Sequence, residues 1–544
     1  MSRHLASRLS HVVAFCALSI AACDGPTSGD AGIDAGTPAV DAGPPPPFVE
    51  DDRWHRQAVF YELWVRSFQD SDGDGIGDLA GLTSRLDYLA ELGVGGIWLM
   101  PTYPSPLADS GYDVADYVGV HPDYGTMDEL DAMLDAAHAR GLRVFLDLVF
   151  NHTSLEHPWF LASRSDPTGP YGDWFVWADA VGEGCGDAVG PFGDVRWTYD
   201  DVRGQFYFHQ FYPEQPDLDF DQPAMRAALL DVARFWLDRG VDGFRLDVPY
   251  RYVEDLPICV HRPGTFAFLR ELRALTDSYG DRALVGETLA DPEQLAEYLQ
   301  DDVLEMGFLL AESTLFSIGA ASGSPSGIGR AFETLARVTP AGGAFCPLLG
   351  NHDLARTTTN VDDDPGALRA MAATLLTLPG VPFVYYGEEL GMLPGTGSIV
   401  DGRDAARAPM PWDATPSAGF TTGRPFLALA PDHEQRNVET ERADAGSLLR
   451  FYQRWIALRN ATPALRTGTF ERVASSRSAL VFFRRHPAGD RLVVANFGRS
   501  PTTVSVAVPS PSLVDETDAP RGEVNGSVWS ADVPAQTVWV LRAP

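Results

Sequence analysis

From about Trp54 onward two apolar rhythms alternate along the chain. Short, nearly continuous apolar runs occupy residues 59–63, 96–100, 143–149, 243–248, 283–287, 304–308, 345–350 and 382–386. Between them lie segments such as 128–140 and 225–239, whose apolar residues recur at helical spacing. Runs apolar on both faces suit strands of a parallel sheet covered by helices. Eight of them in βα succession predict a closed barrel, so the expected fold class is α/β, a (β/α)8 TIM barrel.

Two stretches break the rhythm. Residues 150–215, rich in Gly, Pro, Trp and Asp, are too long for an ordinary connection and predict a separate lobe inserted after the third strand. Beyond an irregular stretch from Gly387 to about residue 441 and a helical segment at 448–459, the pattern shortens. Alternating runs at 479–483, 492–496, 503–508 and 538–541 predict a C-terminal all-β domain, a β-sandwich. The expected organisation is a barrel over 53–149 and 216–460, a lobe over 150–215 and a β-sandwich over 465–544.

The N-terminus reads as a targeting segment. Arg3 and Arg8 precede a short apolar run at 12–20, and Ile20-Ala21-Ala22-Cys23 has the form of a bacterial lipoprotein cleavage box. Residues 1–22 are then a signal peptide and Cys23 carries lipid; a plain secretory signal is the alternative. Either predicts export, with any membrane attachment through the anchor alone, because the run is too short to span a bilayer. Residues 23–52, with recurring Asp-Ala-Gly and four prolines at 44–47, read as a low-complexity linker. Cys185, Cys259 and Cys346 remain in the body of the chain, and one disulfide among them leaves three pairings open.

Charge narrows the partners. The net charge is -34, from 75 acidic and 41 basic residues, which repels nucleic acid over most of the surface and leaves neutral substrates unaffected. Twelve Trp, 17 Tyr and 29 Phe supply sugar-stacking faces as well as core.

Chemistry concentrates where a barrel places it, at the carboxyl ends of strands. Arg245 and Asp247 sit two apart on the fourth strand and so face one side. A neighbouring cation favours the ionised carboxylate that a nucleophile requires, although a structural ion pair has the same wording. Asp147, Asn151 and His152 follow the third strand, Glu287 ends the fifth, and Asn351-His352-Asp353 follows the seventh. Separately, Asp70-Ser-Asp72-Gly-Asp74-Gly-Ile76-Gly-Asp78 places carboxylates at alternate positions among glycines, a donor set suited to Ca²⁺. It departs from an EF-hand in having Gly81 where the bidentate Glu would fall.

These four strand-end segments, in this order, resemble the signature regions of the α-amylase family of glycoside hydrolases. Gln215-Pro216-Asp217-Leu218 resembles the extra signature of the α-glucosidase and oligo-1,6-glucosidase branch, with Asp219 where that branch usually has Asn. Residues 380–388 and 403–412 extend the likeness. Val248 resembles the α-1,6-cleaving subgroup, and Pro249-Tyr250-Arg251-Tyr252 looks closer to trehalose synthase.

The resemblance implies a retaining enzyme in which Asp247 is the nucleophile and Glu287 the general acid and base, roughly 5 to 5.5 Å apart. Their environments must then separate their pKa values. It implies Asp353 as the third carboxylate, with His152, Arg245 and His352 at the reacting glucose. Asp109 and Tyr112 close the pocket behind that glucose, Tyr112 as stacking platform, and Arg407 pairs with Asp109. Asp70, Asp72, Asp74, the Ile76 carbonyl and Asp78 hold a structural Ca²⁺. The expected activity is that of an exo-acting α-glucosidase on malto- or isomalto-oligosaccharides, working as a monomer. An endo-acting α-amylase and a trehalose synthase-type transglycosylase stay open as alternatives.

Overall fold

The structure is a computed structural model that describes residues 50–181, 196–254, 259–396, 403–508, 514–517 and 522–542. The expected signal peptide, Cys23, nearly all of the linker and Cys185 lie outside the described residues. Among the described residues no helix is long and apolar enough to cross a membrane.

Each of the eight expected runs supplies a strand: β1 (Phe60–Leu63), β2 (Gly96–Leu99), β3 (Arg143–Leu148), β4 (Gly243–Leu246), β5 (Ala283–Gly286), β6 (Met306–Phe308), β7 (Ala344–Cys346) and β8 (Phe383–Tyr385). All pair in parallel, in the order β7-β6-β5-β4-β3-β2-β1-β8. Closure comes from Val381 and Phe383, whose amides donate to the carbonyls of Phe345 and Pro347 at 3.0 Å each. Several ladders end one to four residues short of the apolar runs. At β7 the reason is Pro347, which has no N–H to offer. At β4 and β5 the ladders stop at Leu246 and Gly286, which leaves Asp247 and Glu287 on the rim.

An aromatic plug fills the barrel beneath that rim. Phe60, Trp98, Phe145, Phe308 and Phe383 belong to one buried cluster, with Phe60 stacked on Phe383 at 4.6 Å and edge-on to Phe145 at 5.0 Å. Such rings need a missing side chain opposite them: a Cβ on Gly243 would stand 2.5 Å from the Phe145 ring. Outside, helices present one apolar stripe to the sheet. The helix Pro223–Asp238, opened by a proline at its first position, buries Met225, Leu229, Val232, Ala233, Trp236 and Leu237.

Between β3 and β4 the chain makes its excursion. It forms the helix Pro158–Ser165 and a three-stranded antiparallel sheet of Trp177–Ala178, Gln205–Phe208 and Trp197–Asp200. The two ends of the excursion are zipped together by Leu218 N donating to Asn151 O at 3.0 Å and Thr153 N to Pro216 O at 3.2 Å. That contact carries Gln215 and Asp217 to the barrel mouth.

The C-terminal part contains a five-stranded antiparallel sheet, in the order Thr469–Ser475, Ala479–Arg485, Arg491–Asn496, Thr537–Arg542, Val514–Asp515, and a three-stranded one of Thr502–Ala507, Val528–Val533 and Glu523–Asn525. Val481, Phe483, Val494, Val504, Trp529 and Trp539 share the core they form. Buried Arg484 of the larger sheet and buried Arg459 of the helix Leu448–Ala461 both cap the carboxyl end of the helix Pro365–Thr377. Arg484 donates to Thr377 O at 2.6 Å and Arg459 to Leu376 O at 2.9 Å, where the helix dipole favours positive charge. Cys259 is disulfide-bonded, and Cys346 is free and buried in the plug.

Candidate active site

The site is assembled around Arg245. In the β3–β4 ladder it lies directly beside Asp147. The side chain is 1% exposed, and its guanidinium carbon sits 4.9 Å from the Trp98 ring and 5.6 Å from the Tyr112 ring. Its Nη1 donates to both oxygens of Asp147 at 2.9 Å and to Asp247 Oδ1 at 2.7 Å. Its Nη2 donates to Glu287 Oε2. One fork therefore holds three carboxylates from three neighbouring strands.

Val248, immediately after Asp247, has a φ of 36°. A β-branched residue in the left-handed region is unusual, and such strain gathers at functional sites. Here it turns the chain sharply off β4 and aims the Val248 amide at Glu287 Oε2, 3.5 Å away.

Burial pushes Asp247 and Glu287 each up to about 7 and Asp147 to about 6, while Arg245 pulls all three down. A single cation does not keep three buried carboxylates ionised, so the cluster retains a proton. The donors say where it is not. Asp147 accepts from Arg245 twice, from Tyr112 Oη at 3.0 Å and from Trp98 Nε1 at 3.3 Å, a set that favours its ionised form. Asp247 and Glu287 are left as the two groups that burial raises furthest. This differs from the expectation that Arg245 leaves Asp247 simply ionised and only Glu287 raised: both are buried against the same guanidinium.

Asp353 has the opposite environment. Burial raises its pKa, but the contact with His352 and the charges of Arg403 and Arg407 outweigh that and hold the carboxyl well below the usual range. Arg403 Nη1 reaches its Oδ1 at 2.8 Å and Arg407 Nη2 at 3.1 Å, and His352 Nε2 lies 3.3 Å from its Oδ2. The three acids meet: His352 Nε2 also contacts Tyr112 Oη at 2.9 Å, which returns to Asp147 and the Arg245 cluster. Side-chain exposures of 35% for Asp353, 14% for Glu287 and 9% for Asp247 show that the group opens to solvent on Asp353's side.

The remaining expected residues converge here with one exchange of partners. Tyr112 is buried, with one face stacked on His352 at 5.3 Å. His152 Nε2 lies 3.0 Å from the Tyr112 carbonyl. The resemblance implies Arg407 as the partner of Asp109, whereas Arg403 Nη2 is what donates to Asp109 Oδ1. Arg407 turns instead to Ser110 Oγ at 2.7 Å, the His352 carbonyl at 2.9 Å and Asp353. Reading from sequence notes Gln215 only as part of a signature, with no role, and passes over Trp98 and Glu62. Gln215 donates to Asp109 Oδ2 at 3.0 Å, Trp98 covers Arg245, and Glu62 lies 2.6 Å from His352 Nδ1. Glu62 had a signal, a lone charge inside an otherwise apolar barrel strand.

Of the proposed metal loop, Asp70, Asp72 and Asp78 each bring a carboxylate oxygen within 4.8 Å of the others. Asp74 is not in that group; its Oδ1 accepts from Ile76 N at 2.7 Å. Asp70 also accepts from the amides of Gly73 and Gly75 and from the Thr421 hydroxyl, and Asp78 caps the helix Leu79–Ser84. Three convergent hard oxygens fit a divalent cation, although the amides already occupy part of their acceptor capacity.

Residues 62–468 match the family described as alpha amylase, catalytic domain. A trehalose synthase/amylase of Mycobacterium tuberculosis is 38% identical over 527 residues, covering 86% of each chain. A probable alpha-glucosidase of Rhizobium meliloti is 36% identical over 523 residues, covering 86% of this chain and 93% of its own. Among solved structures, an alpha-glucosyl transfer enzyme superposes with a TM-score of 0.81 at 33% identity, over 91% of this chain and all 100% of that one. The chain belongs to the α-amylase family of glycoside hydrolases, with α-glucosidases and trehalose synthases among its homologues.

Proposed function

We propose that the protein is an α-glucosidase that removes glucose from the ends of short malto- or isomalto-oligosaccharides with retention of configuration. The observation that carries this reading is the clasp on one side of the acids, where Arg403 ties Asp109 to Asp353 and Gln215 holds Asp109 from the lobe. A site blocked on that side would take a chain end and reject a chain running through.

Asp247, ionised, attacks the anomeric carbon while Glu287 delivers its proton to the departing oxygen. The bond from the Asp247 carboxylate forms as the glycosidic bond breaks. Glu287, now ionised, takes a proton from water, and the resulting attack frees glucose and returns the carboxylate. Asp353, kept anionic by its two arginines, stabilises the positive charge that grows on the ring. A structural Ca²⁺ belongs to the same proposal, held in the loop 70–78 chiefly by Asp70, Asp72 and Asp78. So does export with lipid on Cys23, supported by the N-terminal sequence.

A second reading is transfer of the trehalose synthase type. It is favoured by the likeness of Pro249-Tyr250-Arg251-Tyr252 and by the relative named trehalose synthase/amylase. It requires that water be kept from the glycosyl-enzyme until the released sugar has turned. The products from maltose, isomaltose, trehalose and soluble starch separate the readings. Glucose alone supports hydrolysis from chain ends, interconversion of maltose and trehalose supports transfer, and a ladder from starch supports the endo-acting alternative. No turnover of any of them ends the proposal.

A further inference from the structure

Glu62 ends a chain of buried groups for which the reaction as derived above gives no use. It stands on β1, 1% exposed, on the strand next but one to β3. Its Oε1 lies 2.6 Å from His352 Nδ1 and 3.3 Å from the His352 backbone amide, which donates to it. His352 is equally buried, sandwiched face to face with Tyr112 and edge-on to Trp98 at 5.7 Å. A carboxyl and an imidazole sealed together in this way share a proton, and which nitrogen of the ring is left for the pocket follows from where that proton lies.

The neighbours of Nε2 decide the matter. Tyr112 Oη has one proton. Arg245 only donates, and Asp147, saturated by donors, only accepts, so the Tyr112 proton goes to Asp147 Oδ2 at 3.0 Å. The Tyr112 oxygen, 2.9 Å from His352 Nε2, is then left to accept. On its other side Nε2 faces an anionic Asp353 oxygen at 3.3 Å. A bare nitrogen would set its lone pair against both. Nε2 must carry hydrogen; in a neutral ring Nδ1 is then bare and takes its hydrogen bond from Glu62.

We propose that Glu62 is a positioning residue: by donating to Nδ1 it locks His352 as a neutral imidazole whose Nε2–H points at Asp353 and at the sugar that Asp353 binds. This rests on the proposed glycosidase reading and deepens it. Burial supports the protonation, since it raises the Glu62 carboxyl well above the ordinary range and lowers His352 well below its own. A neutral dyad also costs less to bury than an ion pair and adds no positive charge beside the developing oxocarbenium ion.

The test compares Glu62→Gln, whose amide N–H still donates to Nδ1, with Glu62→Met, which has similar bulk and cannot. Both are assayed in the full chain on p-nitrophenyl α-glucoside, with melting curves. The Gln variant should stay within about threefold of wild type in kcat. The Met variant should lose roughly 10- to 100-fold, the cost of leaving a buried acceptor without its donor, mostly in kcat rather than KM. A Gln variant damaged as badly as Met would mean that an ionised carboxylate is what matters, and a Met variant as active as wild type would mean packing only; either overturns the proposal. Nitrogen NMR of histidine-labelled wild-type protein, with the His352 signal identified by its loss in His352→Asn, reads the tautomer without any change at Glu62. A bare Nε2 overturns the proposal even if the Met variant fails to fold. If wild type turns over no α-glucoside the functional reading fails by itself, and the spectrum still tests the dyad.

Discussion

Arg245 grips Asp247 with one terminal nitrogen, at 2.7 Å, and Glu287 with the other. The spacing of the two reacting acids and the charge they share are therefore set by a single planar group. Lysine cannot reproduce two parallel donors. Arg245→Lys is expected to lower kcat/KM by about 10²- to 10³-fold, the scale seen when one oriented donor is lost. Arg245→Met, which leaves buried carboxylates without a cation, should cost about 3–5 kcal/mol in urea unfolding at pH 8 and less at pH 5, where those carboxyls protonate. An unchanged unfolding midpoint at both values would show that the cluster is not held by this residue.

The proton kept in that cluster predicts a pH profile. Burial lifts Glu287 to about 7, so the acid form persists far above the ordinary carboxyl range and is lost as pH rises through about 7. kcat/KM on maltose should fall on that alkaline side. The same raised carboxyl contributes stability that is present in acid and disappears as pH climbs from about 4.5 toward 7. Glu287→Gln should remove the alkaline limb on α-glucosyl fluoride, whose leaving group needs no proton, while turnover of maltose is lost. A limb that survives in this variant belongs to another group.

Arg403 and Arg407 invite opposite expectations. Arg403 bridges Asp109 and Asp353 at the rim, with its side chain 17% exposed, whereas Arg407 is wholly buried behind them on Ser110 and the His352 carbonyl. Arg403→Ala should open the clasp, raising KM for maltose more than it lowers kcat and admitting longer chains. Arg407→Ala should chiefly lower kcat and the melting temperature, because it frees the segment that carries Asp353. Kinetics on maltose and maltoheptaose decide it. If the two variants give the same KM and kcat pattern, this division of labour is wrong.

How much of this was readable beforehand follows the range of the interactions. The barrel strands announce themselves locally, because a parallel strand buried on both faces must be apolar throughout, and the acids at β4 and β5 lie where those runs end. The strand Val528–Val533 escapes notice because its outward Ser530 and Asp532 and its turn neighbours dilute a weak alternation. The Asp109–Arg403 pair joins residues 294 apart in the chain, so choosing between two arginines of one tract needs coordinates. Protonation lay furthest out of reach. One arginine beside one aspartate suggests a simple ion pair, and only the convergence of Asp147 and Glu287 on the same fork shows that the charges do not balance.

The metal loop allows the last test. Asp70, Asp72 and Asp78 bring oxygens within 4.8 Å of one another, and like charges so close raise the free energy of the folded loop unless a cation or hydrogen bonds offset them. For Asp70 the hydrogen bonds from Thr421, Gly73 and Gly75 do so, holding its carboxyl below the ordinary range against the effect of burial. Asp70 accepts from the Asp72 amide as well, four donors in all, against three for Asp78, from the Ser71 amide and hydroxyl and the Gly81 amide, and the Asp74 amide for Asp72. A bound Ca²⁺ should therefore matter more to Asp72 and Asp78 than to the turn itself. Chelation is expected to lower the melting temperature by several degrees, reversibly on adding Ca²⁺, because a ligand bound only to the folded state stabilises it by mass action. In Asp72→Asn the Ca²⁺ response should weaken while the melting temperature without metal rises, since one repelling charge is gone. A chelator-insensitive melt together with an unchanged melting temperature in Asp72→Asn would mean that the loop is an Asx-turn scaffold that holds its shape without metal.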